Sequence, residues 1–394
     1  MRIEQAVIFC GGYGKRLLPI TKKIPKPMVK VENLPFLTHL IMQCKNNGIK
    51  EIIILIGYKS AIIKNYFKNG HKLGIKIKYH YSHPKVETFK RIYEARKLIK
   101  NNFLLLYSDN YSSLNLKELI DLQKKYNSKL LISICEKKRG NLLLNNKKGK
   151  IKSYLKNRLL KSNFVEIGYM IVNKYELIKC YDHKNSEFSS FIQHMSKNKR
   201  AYFFLNNTGY LSISDKKRLI LTQKYFSNKY ILVDRDGVLN LKNKFHYYVR
   251  NLNELKINYD LIKKYKSKLL NKKLICISNQ AGISTGDLTK QNLNKINSAI
   301  QNACRKLKIK IVDFFVNYSH FNSKDYDRKP NPGLFIKASK KYKFILDRTL
   351  YIGDDLRDIE ASFKAKTRCL YVGEKKLNAK LKEKYKYTLI KDLP

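Results

Sequence analysis

The chain has 394 residues and a formal net charge of +52, from 82 Lys and Arg against 30 Asp and Glu. Its hydrophobic content of 43% is enough to bury a core in each of two ordinary domains. No apolar run nears the ~18 residues that a membrane span needs. Arginine supplies only 15 of the basic residues and lysine is spread evenly, so the charge reads as a bias of composition and not as a nucleic-acid-binding stripe.

Ala6-Val7-Ile8-Phe9-Cys10 reads as a short buried strand that runs into Gly11-Gly12-Tyr13-Gly14-Lys15-Arg16-Leu17. Glycines let backbone N–H groups approach an anion closely. Leu18-Pro19 and Pro25-Lys26-Pro27-Met28 follow, which a dinucleotide-binding loop does not carry downstream. Glu51 to Tyr58 predicts a second strand and turn, and Phe103 to Asp109 an apolar strand ending in a carboxylate. In order, these motifs resemble the sugar-1-phosphate nucleotidyltransferase family over about Met1 to Lys224.

That resemblance implies attack of a sugar 1-phosphate on the α-phosphorus of a nucleoside triphosphate, with pyrophosphate leaving. Gly11, Gly12 and Gly14 are then expected to hold base and phosphates through the backbone. Arg16 and Lys26 would neutralise phosphate charge, and Asp109 would hold Mg²⁺. Thr88 and Glu166 are expected at the substrate. The family's glycine-rich loop before the metal strand reads here Val86-Glu87-Thr88-Phe89-Lys90-Arg91-Ile92. Its second metal aspartate reads Asn207, in Asn207-Thr208-Gly209. An amide oxygen still coordinates Mg²⁺ but brings no charge.

From Ile213 the chain turns polar and lysine-rich, predicting a last helix and a junction near Ser227-Asn228-Lys229. Ile231-Leu232-Val233 then reads as a buried strand ending in Asp234-Arg235-Asp236-Gly237. Two carboxylates so close repel unless positive charge sits with them. Ile275 to Gln280, Arg328-Lys329-Pro330-Asn331-Pro332-Gly333 and Leu350 to Asp358 complete the pattern of strands delivering polar groups at their C-terminal ends. With Tyr247-Tyr248-Val249, these motifs resemble the haloacid dehalogenase superfamily, closest to its heptose-bisphosphate and histidinol-phosphate phosphatases, over about Tyr230 to Gly373.

The chemistry then expected is attack by the Asp234 carboxylate on phosphorus, splitting one hydrolysis into two easier steps. Asp236 would protonate the leaving alcohol and later deprotonate water. Ser278 and Lys329 would hold the phosphoryl oxygens, and Asn279 is expected at the substrate. Asp234, Asp236, Asp354 and Asp355 would form a Mg²⁺ site, with Asp358 as the alternative to Asp355 in support. Tyr318 to Asp325 has no cysteine where such phosphatases often keep a zinc cluster, so no structural zinc is expected. Ser284-Thr285-Gly286 stands where an arginine is usual.

The expected fold is α/β: two Rossmann-like domains, a mixed sheet in residues 1–226 and a parallel sheet in 227–394. The expected function is bifunctional: Mg²⁺-dependent removal of a distal phosphate from a sugar bisphosphate (heptose 1,7-bisphosphate fits both resemblances), and nucleotidyl transfer from a triphosphate such as GTP to the sugar 1-phosphate. Two alternatives stand beside it: the same chemistries on another sugar and nucleotide, or a working phosphatase joined to an inactive nucleotide-sugar-binding domain. Seven scattered cysteines without Cys-x-x-Cys fit a reducing compartment. With no signal-peptide layout from Met1 to Phe9, the expected location is the cytoplasm, with nucleotide and sugar phosphates as partners and neither nucleic acid nor membrane. Nothing in the sequence speaks to oligomeric state.

Overall fold

The computed structural model describes residues 2–145, 149–159, 162–184, 186–226, 229–243 and 248–391. Two compact units divide the chain, Met1–Gln223 and Lys224–Pro394. The division falls inside the helix Lys216–Phe226, just ahead of residue 226. Ser227 and Asn228 of the expected junction, and Tyr247, lie outside the described residues.

The first unit is built on a nine-stranded mixed sheet. Its strands are β1 (Gln5–Cys10), β4 (Glu51–Ile56), β5 (Lys76–Tyr81), β6 (Asn102–Tyr107), β8 (Leu130–Glu136), β9 (Gly140–Asn145), β10 (Lys150–Leu159), β11 (Phe164–Asn173) and β12 (Ala201–Leu205). Two short ladders pair β2 (Lys30–Val31) with β3 (Leu34–Pro35), and β7 (Asn110–Tyr111) with β13 (Leu211–Ser212). The order is β5-β4-β1-β6-β11-β8-β12-β10-β9. β5, β4, β1 and β6 run parallel, and β11 runs antiparallel to both β6 and β8.

Every residue of β1 is buried, which is why the strand reads as a continuous apolar run and not as an alternation. One face of the sheet packs Val7, Phe9, Ile53, Leu55, Leu105 and Met170 against Phe89, Phe188, Phe191 and Met195. Since β1 and β6 are adjacent and parallel, with Phe9 opposite Tyr107, their C-terminal ends present the glycine loop and Asp109 on one edge.

The second unit holds a six-stranded sheet, all parallel: β14 (Tyr230–Val233), β15 (Lys273–Asn279), β16 (Lys310–Asn317), β17 (Leu350–Gly353), β18 (Arg368–Tyr371) and β19 (Leu389–Ile390). Their order is β16-β15-β14-β17-β18-β19. The chain thus works outward from β14 on one side, then returns to build on the other. β14 and β17 flank the switch point, where open α/β sheets leave a crevice.

Side chains of β14 alternate between two cores. Ile231 and Val233 join Ile262, Leu293, Ile296 and Ile300, from the helices Tyr259–Lys264 and Lys290–Lys306. Leu232 joins Phe335 and Ile359, from the helices Gly333–Tyr342 and Leu356–Ala365. Both faces are therefore covered by helices, as a parallel sheet requires. Leu232 is fully buried beneath the strand end that carries Asp234. Leu232→Ala is expected to cost about 2–5 kcal/mol, read as an earlier urea midpoint for the unfolding of residues 224–394, with the transition of residues 1–223 unmoved.

Candidate active sites

In the first unit a cleft enclosing about 320 Å³ opens at the C-terminal ends of β1 and β6. Gly11, Gly12, Gly14, Lys26, Thr88 and Asp109 line it, together with Lys85, Glu87, Arg91, Tyr107 and Ser108. Lys26 Nζ and Asp109 Oδ2 form an ion pair at 2.7 Å, both side chains largely shielded. Six residues expected from separate stretches of sequence thus converge on one cavity.

Arg91 is the organising residue of this cleft. It is buried, and its guanidinium donates to four carbonyls: Nη1 to Ile56 (2.9 Å) and Ser82 (3.1 Å), Nη2 to His83 (3.1 Å) and Val86 (3.0 Å). One side chain thereby pins the loop after β5 to the end of β4. Burial pushes the Arg91 pKa down, with the nearby Glu94 charge opposing. The guanidinium fills the space beside Gly11 and Gly57. A Cβ at Gly57 would sit 2.6 Å from the Gly11 carbonyl oxygen and 2.9 Å from Arg91 Nη1. The missing glycines of the Val86–Lys90 loop are therefore answered by an arginine that fixes the loop from behind.

Three expected residues do not line the cleft. Arg16 is exposed on the 3₁₀ turn Lys15–Leu17, set by the left-handed Gly14 (φ 66°). Glu166 folds back so that its Oε2 accepts the Gly168 N–H at 3.0 Å. Asn207 is exposed because its neighbour fastens the turn. The buried Asn206 donates to Ser112 Oγ (2.8 Å) and the Ser113 carbonyl (3.2 Å), while its own oxygen accepts from Thr208.

The second unit gathers charge at the β14–β17 switch point. Asp234, Asp354 and Asp358 each bring a carboxylate oxygen within 4.8 Å of the others, the sole such group of three or more found among the described residues. Lys329 Nζ lies 2.8 Å from Asp234 Oδ2 and 2.8 Å from Asp358 Oδ1. It also donates to the Ile277 carbonyl (3.0 Å) and the Tyr351 hydroxyl (2.9 Å). Tyr351 in turn donates to Asp358 Oδ1 at 2.9 Å.

Burial, then the Asp358 charge, pushes the Asp234 pKa well up, against the pull of Lys329. Burial acts to lower the Lys329 pKa, but Asp234 and Asp358 overcome it and raise it, so the ammonium stays charged. Three carboxylates meet here with the buried Lys329 ammonium, and Lys242 reaches Asp354 from the surface. Asp354 Oδ1 is buried and lacks a hydrogen-bond partner among the described residues. An all-oxygen set with an orphaned carboxylate oxygen suits a hard divalent cation. Gly237 makes room for this: its φ is 86°, and a Cβ there would collide with the Asp354 carboxylate.

Asp355 and Asp236 fall outside the trio. Asp355 caps the helix Leu356–Ala365, accepting the Arg357 N–H at 2.9 Å and pairing with Arg357 Nε at 2.9 Å. Against burial, the Arg357 hydrogen bonds and charge bring its pKa down to about 2. Asp358 completes the capping box, its Oδ2 accepting from the Asp354 and Asp355 N–H groups at 3.0 and 3.1 Å. The box aims one aspartate at the centre and the other at the helix end.

Asp236 is held by three donors: Arg235 Nη2 (3.1 Å), Asn240 Nδ2 (2.9 Å) and Gln280 Nε2 (2.7 Å). Burial would raise its pKa, but the Arg235 charge and these donors keep it below the usual carboxylate range. Ser278 is buried and accepts from Gln280 Nε2 at 2.8 Å. Asn279 clasps the lysine loop at both ends: its Oδ1 accepts the Lys329 N–H and its Nδ2 donates to the Lys329 carbonyl, each at 3.0 Å. Asn279 is thus placed to position Lys329.

Sequence reasoning missed Tyr351, Gln280, Arg235 and Lys242 as parts of this centre. A hydroxyl inside the apolar run Leu350–Gly353 was the one available sign for Tyr351. Lys242, one of so many lysines, carried none.

Residues 5–143 match the Nucleotidyl transferase family, and residues 229–384 match the Polynucleotide kinase 3 phosphatase family. A D-glycero-alpha-D-manno-heptose 1-phosphate guanylyltransferase of Campylobacter jejuni is 43% identical over 115 residues, 29% of this chain and 52% of that protein. A protein of the same description from Aneurinibacillus thermoaerophilus is 30% identical over 131 residues, 33% of this chain and 56% of that protein. The chain thus spans about half the length of these curated relatives. Among solved structures, a UDP-glucose pyrophosphorylase of Acinetobacter baumannii aligns with a TM-score of 0.50 at 15% identity, over 56% of this chain and 92% of that one. At that identity the likeness is one of fold. No helix among the described residues is long and apolar enough to cross a membrane.

The capping geometry separates the two aspartates by experiment. Asp358→Asn is expected to lower phosphate release by about 10²–10³-fold, the scale of one lost electrostatic contact, whereas Asp355→Asn leaves it within severalfold. The folded pKa of Asp355 lies below the ~3.9 of an unfolded aspartate, so its ionisation stabilises the fold above that pH. The stability advantage of wild type over Asp355→Asn should fade as pH falls from ~4 toward ~2, followed by urea unfolding across that range.

Proposed function

Because the chain joins a nucleotidyl transferase domain to a haloacid dehalogenase-like phosphatase domain, we propose that it is a bifunctional enzyme of activated-sugar synthesis. One half removes the distal phosphate of a sugar bisphosphate. The other transfers a guanylyl group from GTP to the remaining sugar 1-phosphate. A heptose is the proposed sugar, because both the Campylobacter and Aneurinibacillus relatives are described as acting on heptose 1-phosphate. The observation that carries the reading is the Asp234–Lys329–Asp358 cluster with Asp354, set where two parallel strands part.

In the phosphatase half, Asp234 attacks phosphorus and the alcohol leaves. Lys329 screens the nucleophile's neighbours and meets the phosphoryl oxygens as their charge develops. Asp236, held ionised by Arg235, Asn240 and Gln280, is set for the second step, taking a proton from the water that attacks the aspartyl-phosphate. For the first step it must acquire a proton, which requires those donors to loosen. Asp234, Asp354 and Asp358 would hold Mg²⁺, which when bound neutralises phosphoryl oxygens.

In the transferase half, little covalent chemistry falls to the protein, so positioning and neutralisation dominate. The backbone of Gly11 and Gly12 admits the nucleotide. Lys26 balances the phosphates, Asp109 would anchor Mg²⁺ with them, and Arg91 fixes the loop from Pro84 to Thr88 that forms the cleft wall. A second reading, of a nucleotide-sugar-binding domain without transfer, draws support from the outward Asn207, which leaves the cleft's Asp109 paired to Lys26.

Two measurements test this. Pyrophosphate release is expected from GTP with heptose 1-phosphate, falling about 10²–10³-fold in Lys26→Ala. If no nucleoside triphosphate and sugar 1-phosphate pair releases pyrophosphate, the binding-domain reading takes its place. Asp234→Asn should abolish phosphate release from the bisphosphate and leave pyrophosphate release unchanged. Phosphatase turnover near wild type in that variant removes Asp234 as the nucleophile.

A further inference from the structure

The centre of the second unit contains a cation that the hydrolytic scheme does not use. Lys242 lies on the segment after the Asp234–Asn240 turn, and its Nζ sits 2.5 Å from Asp354 Oδ2. The aspartate side chain is 8% exposed, whereas that of the lysine is 53% exposed. The other oxygen of the same carboxylate, Oδ1, is buried without a hydrogen-bond partner among the described residues. So Asp354 brings a carboxylate oxygen to the cluster with Asp234 and Asp358, while its Oδ2 pairs with a lysine that reaches in from the surface. The two ammonium groups of the centre differ in kind. Lys329 is buried and tied to four acceptors, whereas Lys242 is half exposed and reaches in to pair with Asp354.

We propose that Lys242 is a built-in competitor for the divalent cation of the phosphatase half, and that its release couples metal binding to anionic substrate. This rests on reading Asp234, Asp354 and Asp358 as the metal site. A divalent cation and an ammonium on one carboxylate repel across a partly buried space, where screening is weak. Metal arrival therefore weakens the Lys242–Asp354 pair, and the long, half-exposed side chain is free to swing outward. The freed ammonium then meets the next charged body to enter, a phosphate. By reciprocity, phosphate drawn to Lys242 pulls it from Asp354 and tightens metal binding. The centre is thereby spared an uncompensated carboxylate before metal binds, and metal and substrate enter as a coupled pair.

The test uses the full chain and measures Mg²⁺ binding by calorimetry and by the shift of Tm, with Asp354→Asn identifying the component that belongs to this centre. In Lys242→Met, that component should tighten by about twofold to fivefold, the range of one partly exposed ion pair. Lys242→Arg, which keeps the charge, should stay near wild type. Inorganic phosphate should tighten Mg²⁺ binding in wild type and do so less in Lys242→Met. Unchanged Mg²⁺ affinity in Lys242→Met, with an intact Asp354-dependent component in wild type, overturns the competitor role. Absence of any Asp354-dependent component in wild type overturns instead the metal site on which the proposal rests.

Discussion

The second unit depends on one buried ammonium. Lys329 Nζ touches two carboxylates, a carbonyl and a tyrosine hydroxyl. Without it, Asp234 and Asp358 would place like charges side by side in a desolvated crevice, and one of them would have to take up a proton. The rest of the local structure serves to hold that nitrogen in place. Asn279 clasps the Lys329 backbone, Tyr351 bridges Lys329 to Asp358, and the capping box fixes Asp358 at the head of its helix. The topology brings these parts together because β14 and β17 are neighbours whose chain connections lead in opposite directions.

The first unit repeats the device more simply. Lys26 sits on Asp109 at the cleft as Lys329 sits on Asp234. In a chain with 82 basic residues and 30 acidic ones, a carboxylate near a strand end readily finds a lysine. Such pairing lets the fold bury charge before any ligand arrives, at less cost than a bare carboxylate would impose. The same pairing means that incoming cations must contend with resident ones.

Much of this was legible in the sequence. Continuous apolar runs such as Ile231–Val233 and Phe103–Leu106 marked strands covered on both faces, and polar groups at their ends marked the edge where chemistry sits. What escaped was decided by side-chain direction or by distant contacts. Asp355 and Asp358 are separated by less than one helical turn, and only the capping box says which one faces the cluster. Asn206 and Asn207 are equivalent as letters, yet hydrogen bonds to Ser112 and Ser113 turn the first inward and leave the second outside. Lys242 meets Asp354 across more than a hundred residues, a pairing that no local pattern encodes.

The seat of Arg91 has a consequence for how this chain can vary. Its guanidinium and the bare backbone at Gly11 and Gly57 share one small volume, so the three positions form a single unit of change. A methyl group at 57 would press on both the Gly11 carbonyl and the arginine. Shortening Arg91 would empty that volume and release four carbonyls at once. Neither step is neutral alone. Drift at this edge should therefore proceed by paired replacements, in which a smaller residue at 91 and a larger one at 11 arrive together while 57 stays glycine against the Gly11 carbonyl, and descendants should sort into a few discrete combinations separated by unstable intermediates.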